Sequence, residues 1–217
     1  MKRVQKWKQT RIYSTKPHWV AQDALGLERI IFFSDAVFAI ATTLLALELR
    51  LPEGDGLLDR TQLTAQLASM WQEYTAFFLS FMVIGSFWIA HHRKFRYIKR
   101  YDNRLMMFNL LFLLVIAFIP FPSAVISRYP DFAATAFYAA TMAMAGLLLT
   151  GLWWYASRKN RLVDPGIDPK INRYQFAGPL LASAIFLLSI VIAHYSGYLS
   201  RLSWLLILFV SWFSHSE

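Results

Sequence analysis

The chain has 217 residues, of which 57% are hydrophobic and 16% are charged, and it contains no cysteine. Soluble domains are about 45–50% apolar and about 25% charged, so the composition excludes an ordinary soluble protein, a disordered chain and a disulfide-rich scaffold. The formal net charge of +9 is compatible with binding to nucleic acid, with binding to lipid headgroups, or with a role in membrane orientation.

Long apolar runs indicate how the chain is organised, because about 20 apolar residues are enough to cross a bilayer as a helix. Five such runs occur, and a sixth, shorter run includes Arg201. The runs are continuously apolar, whereas the strands of a membrane barrel alternate at every second residue. We therefore predict an all-α integral membrane protein with six transmembrane helices. The predicted helices cover about residues 29–50, 70–92, 105–127, 132–157, 176–196 and 199–214.

The basic residues lie at alternate ends of these predicted helices. Eighteen of the 22 Lys and Arg residues fall in the segment 2–29 and in the loops after the second and fourth helices. Cytoplasmic loops carry such an excess, so we predict a cytoplasmic basic tail over 1–28, a single membrane domain over 29–214 and a cytoplasmic C-terminus over 215–217. Orientation explains the net charge, and no nucleic-acid partner is expected. The basic clusters also predict attraction to anionic membrane lipids.

The first predicted helix carries polar residues at membrane depth. Asp35 lies six residues beyond Arg29, about 9 Å along a helix axis at about 1.5 Å per residue. An ionised carboxylate at that depth is costly and needs partners. The end of the second predicted helix reaches the same depth and supplies Trp88 and His91. We predict a polar cluster of these residues with Ser34 and Arg29; an ordinary interface anchor is the alternative.

Beyond Asp35 the first helix presents an apolar face that contains one hydroxyl. The residues at i, i+3, i+4 and i+7 of this face are Ile40, Thr43, Leu44 and Leu47. A packing helix whose Thr43 hydroxyl bonds to its own backbone would give the same pattern. Glu48 follows at the outer end of the helix, where it either concentrates cations or pairs with Arg50.

The same polar residues are compatible with two other functions. Ser34, Asp35 and His91 suggest an intramembrane hydrolase, but adjacent helix residues point about 100° apart and no Gly-rich oxyanion element lies nearby. Neither an enzyme nor a cofactor is therefore expected. A proton-conducting or proton-coupled cation carrier that uses Asp35 and His91 is the more serious alternative, although the broken helices or paired repeats of alternating access are not evident.

Three motifs stand out in the first half of the chain, and they are Arg29-x-x-x-Phe33-Ser34-Asp35 with the following Ala-Val-Phe-Ala-Ile, Trp88-x-x-His91-x-x-x-Phe95, and Asn109-Leu110 with the later Phe118-Ile-Pro120-Phe121-Pro122. Together they resemble the signature of the transmembrane-protein-175 family of potassium channels, most densely over residues 29–122. The resemblance implies six helices per repeat, with the first helix lining a central pore. Because Phe-Ser-Asp occurs once, it implies a prokaryotic homotetramer in the cell membrane.

The resemblance also implies roles for individual residues. The apolar constriction of the family pore maps onto Ile40, with a further apolar ring at Leu47. The hydroxyl layer associated with potassium preference maps onto Thr43, with Leu44 beside it. The residues that support the pore helix without lining the ion path map onto Arg29, Phe33, Ser34, Asp35, Trp88 and His91.

The implied function is a cation channel that passes potassium down its gradient with modest selectivity over sodium. The sequence contains no Thr-Val-Gly-Tyr-Gly loop, so a carbonyl cage of the kind that strips water from potassium is not expected. Apolar rings can instead stop conduction by dewetting.

Overall fold

The computed structural model describes residues 18–51, 59–129 and 131–204, with side chains described from residue 24. These ranges are helical and contain one isolated β-bridge, between Ile98 and Val163, so the predicted all-α fold is confirmed. The helices are α1 (His18–Ala46), α2 (Arg60–Ser69), α3 (Trp71–Tyr97), α4 (Asn103–Phe118), α5 (Pro120–Arg128), α6 (Phe132–Ser157), α7 (Pro169–Tyr195) and α8 (Gly197–Ser203).

Five stretches of the described residues are long and apolar enough to cross a membrane. They are Ala24–Ala46, Trp71–Tyr97, Asn103–Arg128, Phe132–Asn160 and Pro169–Tyr195, and they correspond to the first five predicted helices. Most of the sixth predicted helix, 199–214, lies outside the described residues, as do residues 1–17 of the predicted tail and the C-terminus. The sixth helix therefore stays a prediction.

The observed helices run past the charged residues that bounded the predicted ones. α1 starts at His18 instead of at residue 29, and α3 continues to Tyr97, because Glu, Lys and Arg are good helix formers. Lys94, which was predicted to lie in the basic loop after the second helix, therefore lies in α3, and its side chain is fully buried. α7 starts at Pro169, where Asp168 caps the helix by accepting a hydrogen bond from the Lys170 amide.

The third span is interrupted where α4 ends and α5 begins. Pro120 lacks an amide hydrogen, and its ring clashes with the carbonyl four residues earlier. The amide of Ile119 donates to the Ile116 carbonyl at 3.2 Å, which tightens the last turn of α4. The helix predicted over 105–127 is therefore two consecutive segments, and α5 packs against α1 and α3.

Two apolar clusters hold the bundle together. In the larger one, Phe38, Ala41 and Leu45 of α1 pack with Ile84 of α3 and Phe112 of α4. α6 and α7 approach each other closely at Gly146, where a Cβ would collide with the Ser183 hydroxyl of α7. α1 packs against α3, α4 and α5, so the predicted functional residues of α1 are held by three neighbouring helices.

Asp102 caps α4 and also contacts residues at and just beyond the end of α6. Its carboxylate accepts hydrogen bonds from the Leu105 amide at 2.8 Å and from the Tyr155 hydroxyl at 2.6 Å, and Arg161 lies 3.6 Å away. Burial raises the pKa of the Asp102 carboxyl, but these hydrogen bonds and the nearby positive charge outweigh it and leave the pKa below its ordinary value. Asp102 therefore stays ionised and joins α4 to the end of α6.

Candidate functional site

The two faces of α1 differ in burial. Phe38, Ala41 and Leu45 are at most 3% exposed, whereas Ile40 and Leu47 are each 59% exposed. The exposed face contains all four residues that were predicted to line a pore, namely Ile40, Thr43, Leu44 and Leu47. A large apolar face that is exposed in a single chain marks a surface for lipid or for another protein subunit.

Thr43 is the hydroxyl in the middle of this face. Its Oγ1 donates to the Ile40 carbonyl at 2.9 Å, which is the backbone bond that the packing interpretation requires. A hydroxyl has one donor hydrogen and two acceptor lone pairs. This bond uses the hydrogen, so the lone pairs of the Thr43 oxygen remain available on the exposed face of α1. Thr42, one residue earlier, makes similar backbone bonds to Phe38 and Ala39 but is only partly exposed.

On the buried side, a chain of hydrogen bonds joins α1 to α3 through α4. The Asn109 amide Nδ2 donates to Ser34 Oγ at 3.0 Å, and Ser34 donates in turn to the Ile30 carbonyl at 2.8 Å. His91 Nε2 lies 2.9 Å from Asn109 Oδ1, and the amide oxygen can only accept, so the imidazole donates. All three side chains of this Ser34–Asn109–His91 chain are at most 2% exposed.

Aromatic rings enclose the imidazole of His91. Phe95 and Phe112 stack on it with ring centroids 4.3 and 5.7 Å away, and Phe38 of α1 lies 5.8 Å away. Buried polar groups in such a dry setting are costly unless they are hydrogen-bonded. The Asn109–Ser34 hydrogen bond therefore favours one rotation of α1 relative to α4, because a different rotation would leave the Asn109 amide nitrogen without its acceptor.

Asp35 belongs to a separate contact at the edge of the same region. Trp88 Nε1 donates to Asp35 Oδ1 at 2.8 Å, and both side chains are partly accessible. The two predicted helix ends therefore meet, but through two separate contacts instead of one cluster. Asp35 and His91 are not hydrogen-bonded to each other.

The remaining predicted residues make no hydrogen bond to this network within the described chain. Arg29 and Phe33 lie on the exposed side of α1, so their part in the supporting cluster stays a prediction. Glu48 approaches Arg128 at 3.9 Å, and Arg50 instead donates to the Leu47 carbonyl at 2.9 Å. The alternative in which Glu48 pairs with Arg50 is therefore not observed.

Asn109 is the member of the network that the sequence interpretation did not assign. It occurs in the weakest of the three motifs, but it is also the one amide side chain within the uncharged run 105–127. A lone amide inside a membrane span needs a partner in the protein, and that signal could have identified it.

Within the described residues, Ser34, Asp35 and His91 do not form a hydrogen-bonded catalytic triad. Ser34 Oγ bonds to Asn109 and to the Ile30 carbonyl, and neither Asp35 nor His91 reaches it by a hydrogen bond. Within the ranges 18–51, 59–129 and 131–204, no group of three His, Cys, Asp or Glu residues could hold a metal ion. The site is a buried chain of hydrogen bonds on one side of α1 and an exposed apolar face with one hydroxyl on the other.

The chain is similar to named ion channels of one family. The family model of the endosomal/lysosomal potassium channel TMEM175 matches residues 29–120. A protein of Streptomyces collinus that is named as a potassium channel is 39% identical over 157 residues, which are 69% of this chain and 75% of that protein. The bovine endosomal/lysosomal proton channel TMEM175 is 33% identical over 103 residues, which are 45% of this chain and 22% of that protein.

The fold agrees with a solved structure of the same family. The crystal structure of a lysosomal potassium-selective channel TMEM175 homologue from Chamaesiphon minutus matches with a TM-score of 0.77 and 28% sequence identity, over 88% of this chain and 99% of that one. All three similar proteins are named as ion channels and none as an enzyme. The resemblance predicted from the motifs is thereby confirmed, and the chain belongs to the TMEM175 family.

Proposed function

We propose that this protein is a potassium channel in which four copies arrange α1 around a central pore. The observation that carries the proposal is the exposed face of α1, where apolar side chains flank a threonine whose oxygen lone pairs are unused. In a homotetramer this face would meet its three symmetry copies around the axis. The potassium-channel names of the bacterial relative and of the solved Chamaesiphon structure support the same function.

The spacing of the residues suits an apolar gate of two rings. Ile40 and Leu47 are seven residues apart, which is about 10.5 Å along a helix at about 1.5 Å per residue. Rings of four such side chains in a narrow pore exclude water and stop ions by dewetting. Thr43 falls between the two rings, where four hydroxyl oxygens would partly replace water that a potassium ion loses. Leu44 lies beside Thr43, and Glu48 beyond Leu47 would concentrate cations at the outer mouth.

The direct test is a current recording from the purified protein in a planar bilayer, with potassium and sodium salts on opposite sides. A channel gives unitary steps and a reversal potential displaced toward the potassium equilibrium value. A carrier gives no unitary steps, and absence of displacement would remove potassium preference from the proposal.

Changing Thr43 to alanine is expected to lower the preference for potassium over sodium several-fold, because the hydroxyl oxygens between the apolar rings are lost. The measurement is the reversal potential under the same ionic gradient. Thr43→Ser keeps the hydroxyl and is expected to retain most of the preference. Thr42→Ala is the matched control, since Thr42 is the neighbouring threonine on a different face of α1; equal effects of Thr42→Ala and Thr43→Ala would argue against a pore layer.

Proton conduction is a second candidate, and the name of the bovine relative, a proton channel, favours it. The structure offers no direct Asp35–His91 relay, because His91 bonds to Asn109 and is enclosed by Phe95 and Phe112. A proton path would therefore follow water in the α1 pore. Proton flux is measured as acidification of liposomes that contain a pH-sensitive dye, with and without potassium. If protons share the pore with potassium, Thr43→Ala should alter the proton flux. If Asp35 carries the protons, Asp35→Asn should abolish the proton flux.

The proposed location is the cell membrane of a prokaryote, with both termini and the basic loops in the cytoplasm and with membrane lipids around the outer helices. The chain has no cysteine, so single cysteines report the orientation cleanly. A membrane-impermeant maleimide applied to intact cells is expected to label Arg60→Cys in α2 and to leave Lys159→Cys unlabelled until the cells are opened. The reverse pattern would invert the proposed topology.

A further inference from the structure

A cleft lies between α3 and α7. It encloses about 170 Å³, and its walls include Val83, Phe87 and Ala90 of α3 and Leu181, Ala182 and Ile185 of α7. Phe87 is buried at the base of the cleft, and Leu181 is exposed at its rim. From Val83 to Arg93 the cleft follows α3 for about 15 Å, at about 1.5 Å per residue. The hydrocarbon core of a bilayer is roughly 30 Å thick, so this length equals the thickness of about one leaflet.

Two cations line one end of this apolar cleft. Arg93 and Lys94 are adjacent on the last turns of α3, and both border the cleft. The guanidinium of Arg93 lies 5.9 Å from the ring centroid of Tyr174 on α7, and Lys94 lies 5.6 Å from the Trp153 ring. Neither cation takes part in an ion pair within the described residues, so this end of the cleft holds positive charge without a nearby carboxylate.

A proline in α7 explains how the buried Lys94 is held. Pro179 has no amide hydrogen, so the Gln175 carbonyl four residues earlier loses its helical donor. Lys94 Nζ supplies the missing donor to that carbonyl at 2.6 Å. This hydrogen bond fixes the Lys94 amino group beside Arg93 at the end of the cleft.

Arg93 has an incomplete set of partners. Its Nε atom is buried and has no hydrogen-bond partner, although an arginine fork pairs readily with two oxygens of a phosphate. A buried donor without an acceptor costs free energy. An anionic group at this end of the cleft would accept a hydrogen bond from the Arg93 guanidinium and offset its charge.

We propose that the cleft binds one anionic phospholipid per chain. The lipid phosphate accepts hydrogen bonds from the Arg93 guanidinium, and one acyl chain lies along the apolar walls between α3 and α7. The occupant follows from charge complementarity and from the length of the cleft, which matches one leaflet, and it does not depend on whether the protein conducts ions.

The test is native mass spectrometry of the full-length protein after detergent extraction, with phosphatidylglycerol and phosphatidylcholine of identical acyl chains as probes. The wild type is expected to retain one phosphatidylglycerol per chain and to exchange phosphatidylcholine readily. Arg93→Gln is expected to weaken phosphatidylglycerol binding by at least about tenfold, as expected for the loss of a charge-assisted hydrogen bond. Arg96→Gln is the matched control, because Arg96 is exposed on the same helix and does not line the cleft. Equal losses in the two variants, or equal retention of the two lipids, would overturn the proposal.

A second variant tests the acyl-chain path while leaving both cations in place. Gly178 lines the cleft, and a Cβ there would meet no atom within 4 Å, so the side chain of Gly178→Leu starts in open space and is expected to extend into the cleft. It is expected to reduce the retained phosphatidylglycerol to the level of Arg93→Gln. Unchanged lipid retention would overturn the acyl-chain assignment. Retention of a free fatty acid instead of a phospholipid, or efficient crosslinking of Gly178→Cys to a neighbouring copy, would overturn the proposed occupant.

Discussion

Replacing Ile40 with asparagine is expected to raise resting potassium flux at least about tenfold, which corresponds to a barrier lowered by about 1.4 kcal/mol. Ile40 lies on the exposed face of α1, and four asparagine amides at the proposed constriction would hold water that four isoleucine side chains exclude. The flux is measured as potassium release from loaded liposomes without an applied stimulus. Ile40→Leu keeps the ring apolar and is expected to stay close to the parent.

A second substitution distinguishes the contributions of the two proposed apolar rings. Leu47→Asn tests the outer ring in the same assay, and a smaller increase than that of Ile40→Asn would identify Ile40 as the main barrier. If Ile40→Asn leaves the flux unchanged while the protein still assembles, the gate lies elsewhere. Neither outcome depends on the hydrogen bonds on the buried side of α1, because Ile40 does not contribute to them.

Features of the fold that are determined by a single segment of the sequence were predictable. Apolar runs located five spans, since the length and hydropathy of a membrane helix are properties of a single segment. The face of α1 that contains Ile40 and Leu47 followed from helical periodicity, and the meeting of Asp35 with Trp88 followed from their equal depth. Each of these inferences needs only the position of a residue along one helix axis.

Inferences that depend on how helices are rotated and where they end were less accurate. Asn109 was not assigned to the network, because its pairing with Ser34 and His91 requires α4 to present one particular face to α1 and α3. Lys94 was counted as a loop charge, whereas it is buried beside the carbonyl that Pro179 leaves free. That position follows from a proline 85 residues later in the sequence, which no local pattern connects to Lys94.

Replacing His91 with alanine is expected to destabilise the fold by about 2–4 kcal/mol and to reduce the yield of assembled protein. The change removes a ring that stacks with Phe95 and Phe112, which leaves a cavity. It also leaves Asn109 Oδ1 without its donor in a buried setting, which adds the cost of an unsatisfied polar group. The thermal unfolding midpoint and the oligomer peak in size-exclusion chromatography measure the two effects.

The neighbouring histidine supplies the control for this prediction. His92 is exposed and adjacent on α3, so His92→Ala makes the same chemical change without opening the buried network. Asp35→Asn is expected to be milder than His91→Ala, because an asparagine oxygen can still accept the Trp88 hydrogen bond. If His91→Ala is no less stable than His92→Ala and assembles as well, the Ser34–Asn109–His91 chain does not fix α1. In that case α1 is held by the apolar contacts of Phe38, Ala41 and Leu45 together with the Trp88–Asp35 hydrogen bond.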